Sequence, residues 1–254
     1  MESPEPRGAV CVIAESGQRD PKDNKAQVLA EHLGLSFLQT PPEHGLVLVY
    51  SHARLELRDA DNPATRPIYV DFHSEDIQRR LRAGKRAGKR GNLARAIGLA
   101  KRPNLSVFDA TCGLARDSAV LMGLGCRVQA CERQPILQCL IEDGLRRAGP
   151  LEHWQGLLKH DAAQWLSTQS LPVADVIYMD PMFGGNRNAL PKWEMQALHE
   201  IAGADADAAS LLTEARQHAR QRVVVKRHPR GPELAPPDLQ IRGKRSRFDI
   251  YLVG

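Results

Sequence analysis

The chain has 254 residues, and 35 lysines and arginines against 30 aspartates and glutamates give it a net charge of +5. This length allows one large or two modest domains with a buried core, and no apolar run reaches the roughly eighteen residues that a membrane-spanning helix needs. An odd number of cysteines without a Cys-x-x-Cys pair argues against a disulfide framework or a zinc site, and an amino terminus unlike a signal peptide favours a cytoplasmic protein.

The first part of the chain is expected to form a small α/β domain over residues 1–66. The predicted elements are a strand, an amphipathic helix and two paired strands, at residues 9–14, 25–33, 46–50 and 53–58. A turn-rich run at residues 59–63 then closes this unit. It carries no pattern typical of catalysis, so we expect it to help bind substrate or to cover the larger domain, residues 67–254.

A strongly basic segment follows at residues 77–108, which hold ten cations and no acid. Its centre, residues 84–91, has glycines spaced among the cations and is predicted to be a loop rather than a helix. A basic loop, taken as residues 79–102, suits the phosphate backbone of a nucleic acid. Smaller basic groups recur at residues 226–228 and 242–247. The cations expected to contact nucleic acid are Arg82, Lys85, Arg86, Lys89, Arg90, Lys226 and Arg227.

A strand, a turn of small residues and a helix come next, at residues 105–108, 109–117 and 118–124. This order is typical of the ligand-binding end of an open α/β unit. Small residues let the backbone approach a ligand, and the start of a helix offers free N–H groups. The turn around Gly113 lacks the full glycine pattern of dinucleotide sites, which favours S-adenosylmethionine (SAM) over NAD.

Acidic residues end four successive predicted strands, at Asp109, Glu132, Asp161 and Asp180. Four in succession indicate the ligand edge of one parallel sheet. Glu132 lies about 20 residues after the first turn, a position that suits a ribose diol. In SAM enzymes an acid at the place of Asp161 commonly receives the adenine amino group, and the same residue is also a good helix N-cap.

The segment from Val176 to Phe183 reads Val-Ile-Tyr-Met-Asp-Pro-Met-Phe. It resembles the (Asp/Asn/Ser)-Pro-Pro-(Tyr/Phe) signature of SAM-dependent methyltransferases that act on exocyclic amines of bases. Such an amine is a poor nucleophile because its lone pair is conjugated with the ring. Asp180, with a carbonyl near Pro181, can hydrogen-bond the amine and favour a tetrahedral nitrogen, while Phe183 stacks on the base. The alternative is a strand followed by a proline turn.

Together the motifs resemble the bacterial ribosomal RNA small subunit methyltransferase J family. The matching segments occur in the family's order, at residues 70–72, 84–91, 109–117, 131–133, 178–183, 223–227 and 247–251. The resemblance covers nearly the whole chain from about Ala9. It implies N2-methylation of a guanine in 16S rRNA, with SAM as the cofactor and 16S rRNA or the 30S subunit as the partner.

The expected fold is α/β, with a Rossmann-like seven-strand SAM-dependent methyltransferase sheet, helices on both of its faces, and the small N-terminal α/β domain. The resemblance implies that SAM contacts Arg116, Asp117, Glu132, Arg133, Ala162, Ala163 and Asp180, and the turn and strand-end positions add Asp109, Gly113 and Asp161 to the residues expected to bind the cofactor. The two alanines offer only backbone groups. Asp180, Pro181 and Phe183 are expected to act in catalysis, and this chemistry requires no metal.

Two other functions fit part of the sequence. A DNA adenine or cytosine amino-methyltransferase shares the Asp-Pro-x-aromatic pattern, but such enzymes usually need a sizeable recognition domain, and no insertion of that size is evident. A non-catalytic RNA-binding protein on a methyltransferase-like scaffold would explain the basic segment. The four acidic strand ends argue against that third hypothesis.

Overall fold

The computed structural model describes residues 10–15, 21–87, 91–182, 193–203 and 205–254, which form two β-sheets with helices packed on them. None of the helices in these ranges combines the length and the apolar character needed to cross a bilayer. Lys89, Arg90 and Phe183, which the sequence places in the nucleic-acid and catalytic sites, lie outside the described residues.

The amino-terminal sheet has four strands in the order β2-β1-β3-β4. Its elements are β1 (Cys11–Ala14), α1 (Pro21–Leu33), β2 (Ser36–Leu38), β3 (Leu46–Tyr50) and β4 (Leu55–Asp59). β1 pairs in parallel with β2 and β3, and β3 pairs antiparallel with β4. The helix and three of these strands confirm the prediction. The sequence analysis did not predict β2, because three residues are too few to show an alternating pattern.

The larger sheet has seven strands in the order β10-β11-β9-β8-β5-β6-β7. They are β5 (Ser106–Asp109), β6 (Arg127–Cys131), β7 (Trp154–Leu158), β8 (Ala174–Met179), β9 (Ala219–Arg227), β10 (Leu239–Arg242) and β11 (Arg247–Leu252). β5 to β9 run parallel, and β11 pairs antiparallel with both β9 and β10. This arrangement confirms the predicted seven-strand α/β sheet.

Helices cover both faces of that sheet. They are α2 (Glu75–Ala87), α3 (Asn92–Ala96), α4 (Arg116–Gly123), α5 (Pro135–Ala148), α6 (Ala162–Ser167), α7 (Trp193–Ala202) and α8 (Ala208–His218). Val107 and Tyr178 pack with residues of α3, α4 and α5, whereas Phe108 and Ile177 pack with residues of α6 and α8. Successive side chains of a strand point to opposite faces, so both faces are buried and the strands read as apolar runs.

The predicted basic loop is wrong for most of its length, because α2 continues to Ala87 and α3 begins at Asn92. Ile77 and Leu81, four residues apart, join the apolar cluster under one face of α2. Asp76 forms ion pairs with Arg79 and Arg80 on the exposed face, with 2.8 Å between its Oδ2 and Arg80 Nε. Burial of one face and these pairs outweigh the helix-breaking tendency of the glycine at position 84.

The amino-terminal sheet rests on α5. Asp143 in that helix is buried, accepts a hydrogen bond from Leu55 N–H at 3.1 Å, and pairs with Arg146 and Arg147. One apolar cluster contains residues of both sheets. Ile68 forms a bridge with Leu57 of β4, so the chain is still attached to the small sheet just beyond residue 66. The domain boundary at residues 66–67 stays a prediction.

Candidate active site

A cavity of about 430 Å³ opens at the carboxyl ends of β5, β6, β8 and β9. All ten residues that the sequence assigns to cofactor binding line it, and so does Pro181. Parallel strands bring their carboxyl ends to one edge, which is why motifs spread over more than seventy residues of sequence meet here. The contact that each of these residues makes with a cofactor stays a prediction.

Asp109 ends β5 in the wall of the cavity and organises the first turn. Its carboxylate accepts hydrogen bonds from the hydroxyl of Ser118 in α4 and from Thr111 N–H. Burial raises the pKa of Asp109 to about 7, although the bond from Ser118 works against that rise. Between these residues the backbone is left-handed at Gly113 and Ala115, with φ of 55° at each, and this brings the turn around to the start of α4.

Glu132 follows β6 and links the first turn to α5. Its Oε2 accepts a hydrogen bond from Gly113 N–H at 2.8 Å, and its Oε1 accepts one from Gln134 N–H at 2.8 Å. Burial raises the pKa of Glu132, while these backbone donors favour its ionised form. A carboxylate can accept about four hydrogen bonds, so the predicted contact with a ribose diol is compatible with both backbone bonds.

Asp161 lies three residues beyond the end of its strand. β7 ends at Leu158, which forms the last pair with β6, opposite Cys131. The prediction that the strand runs on to Asp161 is therefore wrong. Asp161 caps α6, and its Oδ1 accepts a hydrogen bond from Gln164 N–H at 3.0 Å. Its Oδ2 lies 3.4 Å from a guanidinium nitrogen of Arg133. The N-cap interpretation is confirmed, and the adenine contact stays a prediction.

Two further aspartates complete the wall of the cavity, and the sequence analysis missed both. Arg133 donates to Asp205 at 2.5 Å and to Asp207 at 2.7 Å. Asp205 also accepts a hydrogen bond from Met182 N–H at 2.5 Å and returns one from its own N–H to Met182 O. Asp205 therefore ties the end of the Asp-Pro-Met segment to Arg133. An acid just before a helix such as α8 is an ordinary feature of a helix start, so the sequence did not predict the contacts of Asp205 with Arg133 and Met182.

Lys226 connects two acids of the cavity. Its Nζ lies 2.7 Å from Asp117 Oδ2 and 2.7 Å from Asp180 Oδ2, and the hydroxyl of Tyr178 donates to Asp117 at 2.6 Å. β8 pairs with β9 as Met179 with Val225, so the next residues, Asp180 and Lys226, are neighbours across the two strand ends. Burial opposes the charge of Lys226, but the two carboxylates outweigh it and raise its pKa.

Lys226 and Arg227, which the sequence assigns to nucleic-acid binding, line the cavity, and their contact with nucleic acid stays a prediction. Lys226 is bound between two carboxylates inside the cavity, and Arg227 has only 4% of its surface exposed and donates to Pro232 O. Arg82 and Arg86 lie exposed on α2, as a surface role requires. Lys85 lies on the same helix.

Among the residues that the structure describes, no three potential metal ligands cluster together.

Comparison with known proteins identifies the family. The SAM_MT family model, which describes SAM-dependent methyltransferases, matches residues 29–253. Proteins named ribosomal RNA small subunit methyltransferase J align with nearly the whole chain. The one from Nitrosococcus oceani is 43% identical over 244 residues, covering 90% of this chain and 94% of its own. The one from Pectobacterium atrosepticum is 39% identical over 254 residues, covering 96% and 99%.

The chain belongs to the ribosomal RNA small subunit methyltransferase J family. The crystal structure of a SAM-dependent methyltransferase from Neisseria gonorrhoeae has the same fold, with a TM-score of 0.67, 31% identity and 96% of each chain covered. The resemblance inferred from the motifs is therefore confirmed, and so is the methyltransferase fold. The protein is a SAM-dependent methyltransferase, and SAM is its cofactor.

The cavity of this methyltransferase J family member fits SAM. Its volume of about 430 Å³ lies in the range of small-molecule sites. The left-handed Gly113 has no heavy atom within 4 Å of the position where a Cβ would stand, which leaves the turn open toward a ligand. Carboxylate oxygens of Glu132 and Asp161 lie on the β6 and β7 side of the cavity, and the Asp117–Lys226–Asp180 group lies on the β8 and β9 side.

Proposed function

We propose that this methyltransferase transfers a methyl group from SAM to the exocyclic N2 amine of a guanine in 16S ribosomal RNA, in the cytoplasm. The names of the relatives support ribosomal RNA of the small subunit as the substrate class. The observation that supports an exocyclic amine is the position of Asp180, which follows β8 directly, lines the cofactor cavity and precedes Pro181.

The role of Asp180 is to accept a hydrogen bond from the amine and aim its lone pair. Lys226 holds the carboxylate through Oδ2, and Asp180 N–H donates to Thr111 Oγ1 at 2.7 Å, so the side chain and the backbone are both fixed. We assign the other oxygen, Oδ1, to the substrate amine. Phe183 is expected to stack on the guanine, which must leave its neighbours in the RNA to reach the cavity.

SAM supplies an electrophilic methyl group on a sulfonium. As the N2 amine takes up that methyl group, Asp180 would accept the hydrogen bond of the amine and receive the proton that the nitrogen loses. The chain contributes mainly position, because a fixed acceptor and a held cofactor replace a bimolecular encounter by an aligned one. Asp205 assists by holding the backbone of Met182, two residues beyond Asp180.

Methyl transfer from labelled SAM to 30S subunits, naked 16S rRNA and DNA, followed by mapping of the modified base, tests this proposal. We expect label on N2 of a guanine in 16S rRNA. Label on an adenine or cytosine amine of DNA would instead support the alternative amino-methyltransferase. If calorimetry detects no SAM binding and no substrate is labelled, the proposal is wrong, and retained binding to 16S rRNA would then support a non-catalytic RNA-binding protein.

Variants of Asp180 separate chemistry from binding. Asp180→Ala should reduce single-turnover methylation far more than it weakens RNA binding, because the amine loses its acceptor. Asp180→Asn keeps an acceptor oxygen without the charge and should fall between the alanine variant and the wild type. Circular dichroism must first show that both variants are folded. A near-normal rate for the alanine variant with both substrates saturating would remove Asp180 from catalysis.

A further inference from the structure

The two halves of the carboxyl edge of the large sheet differ in what they carry. On one half, Glu132 and Asp161 follow β6 and β7 and face the cofactor cavity. Asp180 directly follows β8, and Lys226 is the next-to-last residue of β9, so both lie at the middle of the edge. The strands beyond them are β11 and β10. A substrate that reaches Asp180 while SAM fills the first half must therefore extend over the second half.

The turn between β10 and β11 lies on that second half. Strand pairing places Arg242 opposite Arg247, and Arg247 opposite Arg227, the last residue of β9. The turn therefore follows the same edge as Lys226, two strand spacings away, which is about 10 Å. Arg242, Lys244 and Arg245 are all exposed there. Within the described part of the chain, none of the three forms an ion pair with an acid.

The backbone of this turn is held in place. Gly243 N–H donates to Ser246 O at 2.8 Å. A Cβ built on Gly243 would lie 2.8 Å from Nδ2 of Asn92, the first residue of α3, so the turn packs directly on the start of that helix. The cations of the turn thus lie beside the point where the chain arrives from α2, with its exposed Arg82 and Arg86.

We propose that Arg242, Lys244 and Arg245 form a second RNA-binding arm, the β10–β11 arm. Together with the cations of α2 it makes a basic surface on both sides of the entry to the cavity. This inference rests on the proposed function and deepens it by naming where the RNA lies. Three exposed cations on a fixed backbone suit phosphate oxygens, which provide affinity and orientation rather than base recognition. A guanine inserted toward Asp180 would leave its flanking phosphates over this arm.

The same topology excludes other cations from the RNA. Lys101 and Arg102 belong to the basic segment of the sequence, but they precede β5 and lie with Arg127 at the amino ends of the strands. Arg127 N–H donates to Leu105 O, which places these residues together. They are separated from Asp180 by the length of a strand, about 13 Å for four residues. Charge alone would have placed Lys101 and Arg102 in the RNA-binding surface, but the fold places them at the opposite end of the strands from Asp180.

Two triple variants test the β10–β11 arm. One carries R242A, K244A and R245A, and its matched control carries K101A, R102A and R127A, so each removes three exposed positive charges. Binding to naked 16S rRNA is measured across a range of salt concentrations, with SAM binding followed by calorimetry. We expect the first variant to bind RNA at least tenfold more weakly at low salt. The slope of log affinity against log salt should fall by about 2–3, since each phosphate contact contributes roughly 0.7–0.9.

The control variant should keep the affinity and the salt slope of the wild type, and both variants should bind SAM normally. If the wild type binds and methylates 16S rRNA and the two variants bind it equally well, the inference is wrong and the proposed function stands. If the wild type neither binds nor methylates 16S rRNA, the proposed function itself fails. If both variants weaken RNA binding equally, the effect is one of net charge and the arm is rejected.

Discussion

At the scale of single residues, the centre of the site is a lysine between two acids. Asp117 and Asp180 both lie within 2.7 Å of the ammonium of Lys226. Burial opposes ionisation of Asp117, but Lys226 and the hydroxyl of Tyr178 hold its pKa below the usual value. Without the lysine, two carboxylates would face each other in a partly buried site, and one of them would tend to take up a proton.

Replacement of Lys226 by methionine should therefore change the pH dependence of the reaction. With the positive charge gone, the pKa values of the two carboxylates rise, and the acidic limb of the single-turnover rate should move to higher pH. The rate at neutral pH should fall about tenfold or more, which corresponds to roughly 1.4 kcal/mol of barrier. Lys226→Arg keeps the charge and is the control. An unshifted profile in the methionine variant would show that Lys226 does not act through Asp180.

Asp109 should make stability depend on pH between about 4 and 7. Its pKa is about 7 in the folded protein and near 3.8 when the chain is unfolded. The folded state therefore keeps a proton that the unfolded state has lost, so this contribution to stability is complete below pH 4 and is lost as the pH rises to 7. Urea unfolding from pH 5 to 8 should show a steeper decline for the wild type than for Asp109→Asn. The slope from one proton is at most about 1.4 kcal/mol per pH unit. Parallel curves would contradict the assignment.

At the scale of elements, the sequence predicted each strand that carries a site residue, because both faces of the large sheet are buried and its strands are apolar runs. The sequence did not predict the register in which these strands pair. Lys226 was assigned only to nucleic-acid binding, since nothing local shows that β8 and β9 pair so that residues 180 and 226 are neighbours. The contact of Asp205 with Met182 likewise joins residues 23 positions apart. The helical part of the basic segment was not predicted. Its apolar face packs on α4, and the local sequence does not show that tertiary contact.

Gly144 in α5 should be a glycine that alanine cannot replace. A Cβ at this position would lie 2.6 Å from Val70 Cγ1 and 2.9 Å from Val70 O, and the backbone oxygen cannot move aside. Alanine gains about 1 kcal/mol in helix propensity, but overpacking costs about 1–3 kcal/mol. We expect Gly144→Ala to be destabilised in urea. The comparison is Gly123→Ala, where the new Cβ meets the end of the Leu81 side chain, which can rotate away. A gain in stability at Gly144 would refute this packing argument.

At the scale of the whole molecule, the two sheets share one apolar cluster, and Asp143 of α5 accepts a hydrogen bond from Leu55 of the amino-terminal sheet. The turn-rich run at residues 59–63 predicted a boundary in the sequence, but a turn does not show whether the units on its two sides share a core. A shared core couples their stabilities, since neither sheet can leave without exposing apolar surface of the other.

Unfolding should therefore occur in a single step. All three tryptophans, Trp154, Trp165 and Trp193, lie outside the amino-terminal sheet, so their fluorescence reports only the larger part. Far-UV circular dichroism reports both parts. In urea the two signals should give the same midpoint and the same slope. An earlier transition in circular dichroism alone would show that the amino-terminal sheet unfolds independently.

The burial of all five cysteines has a practical consequence. Burial raises the pKa of the thiols of Cys126 and Cys131 to about 12, so almost no reactive thiolate exists in the folded state. A thiol reagent can therefore modify the chain only when a segment opens. The positions divide the molecule, with Cys11 in the amino-terminal sheet, Cys139 in α5 and Cys112 in the turn that lines the cavity. Labelling rates would then report the opening of each region separately, and bound SAM should slow the modification of Cys112 most.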